Sequence, residues 1–235
     1  MFNHIPGPIR ELALVNFMSD RNYLPHPSDA FAAVSSLEIV MNDIFEFMTP
    51  EHWEPKYDDI WYSDVALAFF SVFKNSLRSL TLESYDECPI FSGHPFDMIF
   101  PHLEEIRLEH YPFVVVPNPT WLGLKTATLN SFLLAHKSTL KTLFLLNCPA
   151  LFDDRWPFGS RVPSLSTVYD NLREELVELD VLKVRFHPLS VSFKEDKWVG
   201  ERFEDFGAAS TDIQRDLEAA VRWEAQVEQK RKSWL

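Results

Sequence analysis

The sequence predicts an α/β solenoid: a parallel sheet along the concave side, short helices and loops on the convex side, and a capping helix at the C-terminal end. Three observations predict it. An apolar pattern of the form L-x-x-L-x-L recurs along the chain. Two segments match one another at an offset of 63 residues. The last part of the chain carries one long amphipathic helical pattern.

The copies of the pattern run in order. The first is Ile9, Leu12, Leu14 and the second Val34, Leu37, Ile39. Then come Leu77, Leu80, Leu82; Leu103, Ile106, Leu108; and Leu140, Leu143, Leu145. A weaker copy is Leu165, Val168, Asp170, and the pattern does not fix the register of Leu176, Leu179, Val181. The intervals between first positions are 25, 43, 26, 37, 25 and 11. The long intervals need insertions, and two are visible. Residues 45–64 (FEFMTPEHWEPKYDDIWYSD) lengthen one, and residues 111–123 (YPFVVVPNPTWLG) lengthen another. Prolines exclude the second insertion from a central strand, because proline has no N–H to give to a ladder.

The offset match joins LAFFSVFKNSLRSLTL (67–82) to NSFLLAHKSTLKTLFL (130–145). It aligns Phe69 with Phe132, Lys74 with Lys137, Leu77 with Leu140, Leu80 with Leu143 and Leu82 with Leu145. Each half reads as a short apolar helix with i, i+3, i+4 spacing, followed by an alternating strand. FPHLEEIRL (100–108) matches VPSLSTVYD (162–170) at offset 62, and Cys88-Pro89 matches Cys148-Pro149 at offset 60. These matches predict a duplicated two-repeat unit.

With a further position added, the pattern becomes L-x-x-L-x-L-x-x-N/C-x-L. Leu140, Leu143, Leu145 and Cys148 fall on it, as do Val34, Leu37, Ile39 and Asn42. Tyr85 and Tyr111 stand in the Asn/Cys position of two other copies. On these residues the chain resembles the leucine-rich repeat family, and in particular the irregular repeat region of fungal F-box/leucine-rich-repeat proteins, over roughly residues 9 to 185. The resemblance implies a substrate-recognition module of a ubiquitin-ligase adaptor, in which an F-box recruits the ligase scaffold and the repeats recognise the substrate. The L-P-x-E-I opening of an F-box is not found before residue 40.

The C-terminal part differs. Residues 187–207 predict a strand and a loop, followed by a helix from near Thr211. Thr211 and Gln214 make a T-x-x-Q capping box. Ile213, Leu217, Ala220, Val221, Glu224 and Val227 form a mostly apolar stripe, and Lys230, Arg231 and Lys232 suit the negative end of the helix dipole. A helix there would cover the last repeat, whose core is otherwise exposed. The organisation expected is a repeat array over 1–186 and a cap over 187–235, in one continuous domain.

Composition narrows the function. With 46% hydrophobic residues the chain can build a sizeable core. A net charge of −13 disfavours nucleic acid and anionic membranes, and favours a protein partner with a basic and apolar surface. Two cysteines without C-x-x-C predict a reducing compartment, cytoplasmic or nuclear. No signal peptide and no membrane span are expected.

No catalytic residue, metal or cofactor is expected. Cys148 and His136 could form a reactive pair, but at offset 63 His136 aligns with Phe73, which points to packing. His94, His102 and His110 recur every eight residues, yet His102 and His110 bracket a strand and cannot share an ion across it. No nucleotide-binding, nucleophile-elbow or zinc-protease motif occurs. Asp58-Asp59 and Asp153-Asp154 read as solvated turns. The alternative to a binding module is an enzyme, or a small-ligand or metal binder, using the aromatic insertion 45–64 or the His-rich segment 94–110.

In L-x-x-L-x-L the leucines enter the core and the residues between them point to the other side of the sheet. By that register the concave face presents Glu11, Ala13, Ser36, Glu38, Ser79, Thr81, Glu83, Glu105, Arg107, Glu109, Thr142, Phe144, Leu146, Thr167, Tyr169, Glu178 and Asp180. Its partner-binding centre is expected at Glu83, Glu105, Arg107, Glu109, Phe144, Leu146 and Tyr169, an acidic stretch running into an exposed apolar patch.

Overall fold

The computed structural model describes residues 8–15, 29–41, 64–84, 94–111, 113–114, 129–148, 150–153, 165–185, 189–194, 197–202 and 210–233. In chain order the strands are β1 (Glu11–Val15), β2 (Ser36–Met41), β3 (Ser79–Ser84), β4 (Glu105–Glu109) and β5 (Phe113–Val114). They continue with β6 (Thr142–Leu146), β7 (Ala150–Asp153), β8 (Val181–Arg185), β9 (Leu189–Lys194) and β10 (Lys197–Arg202). The α-helices are α1 (Asp64–Val72), α2 (His94–Asp97), α3 (Leu129–Ala135), α4 (Leu165–Glu175) and α5 (Ser210–Ser233).

The fold is α/β. Six strands form one all-parallel sheet in the order β1-β2-β3-β4-β6-β8, which is also their order along the chain. Parallel pairing needs a connection that returns to the start of the next strand, and helices or loops supply it each time. The register places equivalent pattern positions side by side. Leu12, Leu37, Leu80, Ile106, Leu143 and Leu182 form one row, and Leu14, Ile39, Leu82, Leu108, Leu145 and Val184 form another.

A repeated backbone device locks that register. The carbonyl of the residue just before each strand accepts two N–H groups from the start of the next. Arg10 O accepts from Ser35 and Ser36 (2.8 and 3.1 Å), and Ser35 O from Arg78 and Ser79 (2.8 and 2.9 Å). The carbonyls of Arg78, Glu104 and Lys141 repeat the arrangement toward β4, β6 and β8. A one-residue slip would break five such forks and turn every leucine outward.

The core lies between the inner sheet rows and the helices. Phe69, Phe70 and Phe73 come from the first helical connection, and Phe96, Phe100, Leu129, Phe132 and Leu133 from the next two; all are buried. Edge-on ring contacts knit them: Phe69–Phe73 at 4.8 Å, Phe31–Phe73 at 6.4 Å and Phe96–Phe132 at 5.4 Å between centroids. The helix–strand units matched at offset 63 are equivalent in structure. Leu77 N–H bonds Phe73 O at 3.0 Å, and Leu140 N–H bonds His136 O at 2.9 Å.

Three sequence expectations are corrected. Residues 165–170 are not a strand but the first half of α4, so their match with 100–108 does not reflect equivalent structure. The L-x-x-L spacing fits a helix as well as a strand entry, and Leu165, Val168, Tyr169 and Leu172 continue it at i, i+3, i+4, i+7. The sixth strand is β8, and its pattern residues are Leu179, Leu182 and Val184, three positions on from the Leu176, Leu179, Val181 register. In α5 the buried face is Asp216, Ala219, Ala220, Trp223 and Val227, whereas Leu217 and Val221 are 41% and 55% exposed.

The long C-terminal helix packs against α4 and β8. Its polar groups satisfy backbone donors and acceptors that the sheet end leaves open. Glu224 Oε1 accepts the Val184 N–H of the last strand. Asp216 Oδ1 accepts the Ser166 N–H at the start of α4 (2.7 Å), where the helix dipole favours a carboxylate. Lys230 Nζ donates to the Val177 and Leu179 carbonyls (2.9 and 3.3 Å) in the turn before β8.

A second sheet, β10-β9-β7-β5, joins the hairpin β9–β10 to two short strands. The described residues of 187–207 thus form two strands. Of the proline-rich insertion, the described residues Phe113–Val114 form the two-residue β5 at this sheet's edge, and residues 115–123 lie outside the described residues. The aromatic insertion 45–64 lies outside the described residues, apart from Asp64 at the start of α1. So do Asn42, Cys88 and the side chains of the Thr211 capping box except Gln214. Among the described residues no helix is long and apolar enough to cross a membrane.

Candidate interaction face

The outer side of the six-stranded sheet presents three rows. Side chains alternate along each strand, so the residues flanking the core leucines face outward. The first row is Glu11, Ser36, Ser79, Glu105, Thr142 and Val181. The second is Ala13, Glu38, Thr81, Arg107, Phe144 and Lys183. The third is Val15, Val40, Glu83, Glu109, Leu146 and Arg185.

Of the expected binding residues, Glu83, Glu105, Arg107, Glu109 and Phe144 lie on this face, and each is half-buried. Two do not fit. Leu146 points outward by register but is covered, with 4% exposure, as is Val40 in the same row. Tyr169 is not on the sheet. It sits in α4, 1% exposed, its ring 6.1 Å from that of Trp223, and burial holds its phenol far above the usual tyrosine range. Thr167 shares that helix, and Glu178 and Asp180 lie in the turn before β8. Of the expected apolar patch only Phe144 therefore stays on the open face, half-buried.

Val181, Lys183 and Arg185 belong to the face and were missed. The signal was present: Leu179, Leu182 and Val184 spell the same L-x-x-L-x-L as the other strands. With β8 in place the face is segregated by charge. Carboxylates occupy β1 to β4, Phe144 stands on β6, and two exposed cations close the β8 side. Arg107 stands among the carboxylates and is bonded to Glu109 at 3.3 Å.

Two residues considered for chemistry, His136 and Cys148, are buried in the core. His136 is buried, with Nδ1 2.8 Å from Phe132 O and Nε2 accepting the Phe100 N–H at 3.0 Å. Those partners fix a neutral ring with the proton on Nδ1, and burial lowers its pKa below the ordinary histidine value. Burial pushes the Cys148 thiol up to about 12, with Sγ lying 3.7 and 3.6 Å from the Leu108 and Leu146 carbonyls. A thiol so placed is a small core residue, not a nucleophile. His102 is exposed in the turn before β4, and His110 follows that strand with φ 61°. Among the described residues no cluster of three or more His, Cys, Asp or Glu could hold a metal ion.

No family model matches the chain, and neither the curated proteins nor the solved structures yield a match.

Proposed function

We propose that the six-stranded unit is a leucine-rich-repeat-like solenoid with a non-catalytic role: its outer sheet face binds a protein partner. The observation that carries this reading is the face itself. A half-buried phenylalanine stands between a carboxylate field and a pair of exposed cations, on the side of the sheet opposite the leucine rows. Aromatic anchors flanked by charges recur at the energetic centres of protein interfaces. A rigid hydrogen-bonded sheet also presents such side chains without an ordering cost on binding.

The resemblance to fungal F-box/leucine-rich-repeat proteins extends the proposal to substrate recognition for a ubiquitin-ligase adaptor. The forks and rows that repeat from β1 to β8 support the repeat reading. The test is affinity capture from cell extract with the wild-type chain and with Phe144→Ala, both checked for equal thermal stability. A partner held by the wild type and lost from the variant is the expected result. Partners shared equally by both place the interface elsewhere. Ubiquitin-ligase scaffold subunits among the captured proteins would support the adaptor role, and their absence removes it.

A further inference from the structure

The chain treats its charges in two ways. Along the rim where strands begin, opposite charges meet: Arg78 with Glu104, Lys141 with Glu178 (3.1 Å), Lys137 with Glu175 (2.8 Å) and Lys230 with Asp180 (3.7 Å). On the open face they do not. Among the described residues, Glu11, Glu38, Glu83 and Glu105 on one side and Lys183 and Arg185 on the other form no ion pair; Arg107–Glu109 is the exception. Glu83 and Glu109 are direct neighbours in register, a like-charge contact that disfavours the isolated sheet. A cation delivered from outside would relieve it.

The face is not open everywhere. Leu146 and Val40 are covered in the third row, while the row Glu38–Thr81–Arg107–Phe144–Lys183 keeps its side chains accessible. This strip crosses the strands from Glu38 past Arg107 and Phe144 to Lys183; Glu83 and Glu105 flank its first half, Arg185 flanks its end, and Glu109 holds Arg107 in an ion pair. From β2 to β8 there are four inter-strand steps, roughly 19 Å at ~4.8 Å each. About six residues of extended chain span that distance.

We infer that this strip takes an extended, dipolar peptide segment of the partner: a basic end over Glu38, Glu83 and Glu105, an apolar side chain against Phe144, and an acidic end over Lys183 and Arg185. The inference rests on the protein-binding reading and specifies the partner's chemistry. Complementary charge at both ends fixes the direction of the segment, and the central contact supplies the desolvated anchor. A polyanion such as nucleic acid meets the carboxylates first and is repelled.

The probe is a fluorescein-labelled peptide of roughly eight residues with a lysine-rich end, a central tryptophan and an aspartate-rich end, made in both chain directions. Fluorescence polarisation against the full chain is expected to show one direction binding more tightly. Glu38→Lys with Glu83→Lys should weaken it roughly tenfold or more, and so should Lys183→Glu with Arg185→Glu. Melting temperatures confirm that both variants fold. An all-lysine-ended peptide carrying the same tryptophan should bind less well than the dipolar one. If it binds as well, and the Lys183→Glu, Arg185→Glu protein binds it more tightly, the dipolar inference falls and the protein-binding reading stands. If no peptide binds while Phe144→Ala still loses a captured partner, the same holds. If neither peptide nor partner depends on the face, both readings fall.

Discussion

His136 and Phe73 hold equivalent places in two helix–strand units, and the difference between them has a measurable consequence. The Phe73 ring only packs, whereas the His136 ring also accepts the Phe100 N–H and lies in contact with the Phe132 O. Its pKa is lowered in the folded chain, mainly by burial, so below the ordinary value near 6.5 the unfolded chain binds more protons than the folded one. The contribution of this group is therefore complete above that pH and is lost as pH falls toward the folded pKa, at up to about 1.4 kcal/mol per pH unit. Urea unfolding between pH 7 and the onset of carboxylate titration should show this slope. In His136→Phe the slope should vanish, while stability at neutral pH drops by roughly 1–3 kcal/mol because the Phe100 N–H loses its acceptor. An unchanged slope in the variant would assign it to another group. At Cys148 the expectation is inertness. In a Cys88→Ser background, a thiol reagent at mildly alkaline pH should label the chain only as fast as it unfolds. Rapid labelling of the native protein would contradict a burial-raised thiol.

At the scale of elements, the C-terminal helix closes the sheet through its polar side chains as well as its apolar face. Glu224→Gln keeps an oxygen that can accept the Val184 N–H and should be nearly neutral. Glu224→Leu leaves that donor unpaired and should cost roughly 1–2 kcal/mol in urea unfolding. Asp216→Ala uncaps α4 and should cost roughly 1–2 kcal/mol, with Asp216→Asn between it and wild type. Equal stability of Glu224→Gln and Glu224→Leu would show that the contact does not hold the edge. These capping roles were not legible in the sequence. The stripe Leu217, Ala220, Val221, Val227 points the helix about one residue away from the face that is buried, because Asp216 and Trp223 turn inward to meet Ser166 and Tyr169. A hydropathy pattern scores a buried aspartate as surface. Its partner lies 50 residues away and cannot be read from local spacing.

For the whole molecule, the proposed binding role assigns different consequences to the inward and outward rows of the sheet. Leu143 is fully buried in a central strand, and Leu143→Ala should lose about 2–5 kcal/mol. Phe144 beside it faces outward, so Phe144→Ala should stay within about 1 kcal/mol of wild type while abolishing partner capture. Tyr169→Ala belongs with Leu143→Ala: packed on Trp223, it should destabilise by about 3–5 kcal/mol and cannot report on binding. A Phe144→Ala protein that melts far below wild type would move Phe144 into the core and remove the face.

By itself the sequence determined the α/β class, the parallel strands β1, β2, β3, β4 and β6, the inward leucines and the equivalence of the units at 67–82 and 130–145. Those features are written in local period: alternation over a strand and i, i+3, i+4 spacing over a helix need no knowledge of distant residues. Only the tertiary structure decided that Leu165–Glu175 is a helix and Val181–Arg185 the sixth strand, since L-x-x-L satisfies both periods and packing against α5 chooses between them. It also decided that Leu146 and Tyr169 are covered and that Lys183 and Arg185 complete the face. Burial and sheet order depend on what the rest of the chain lays beside a residue, and neighbouring letters do not carry that.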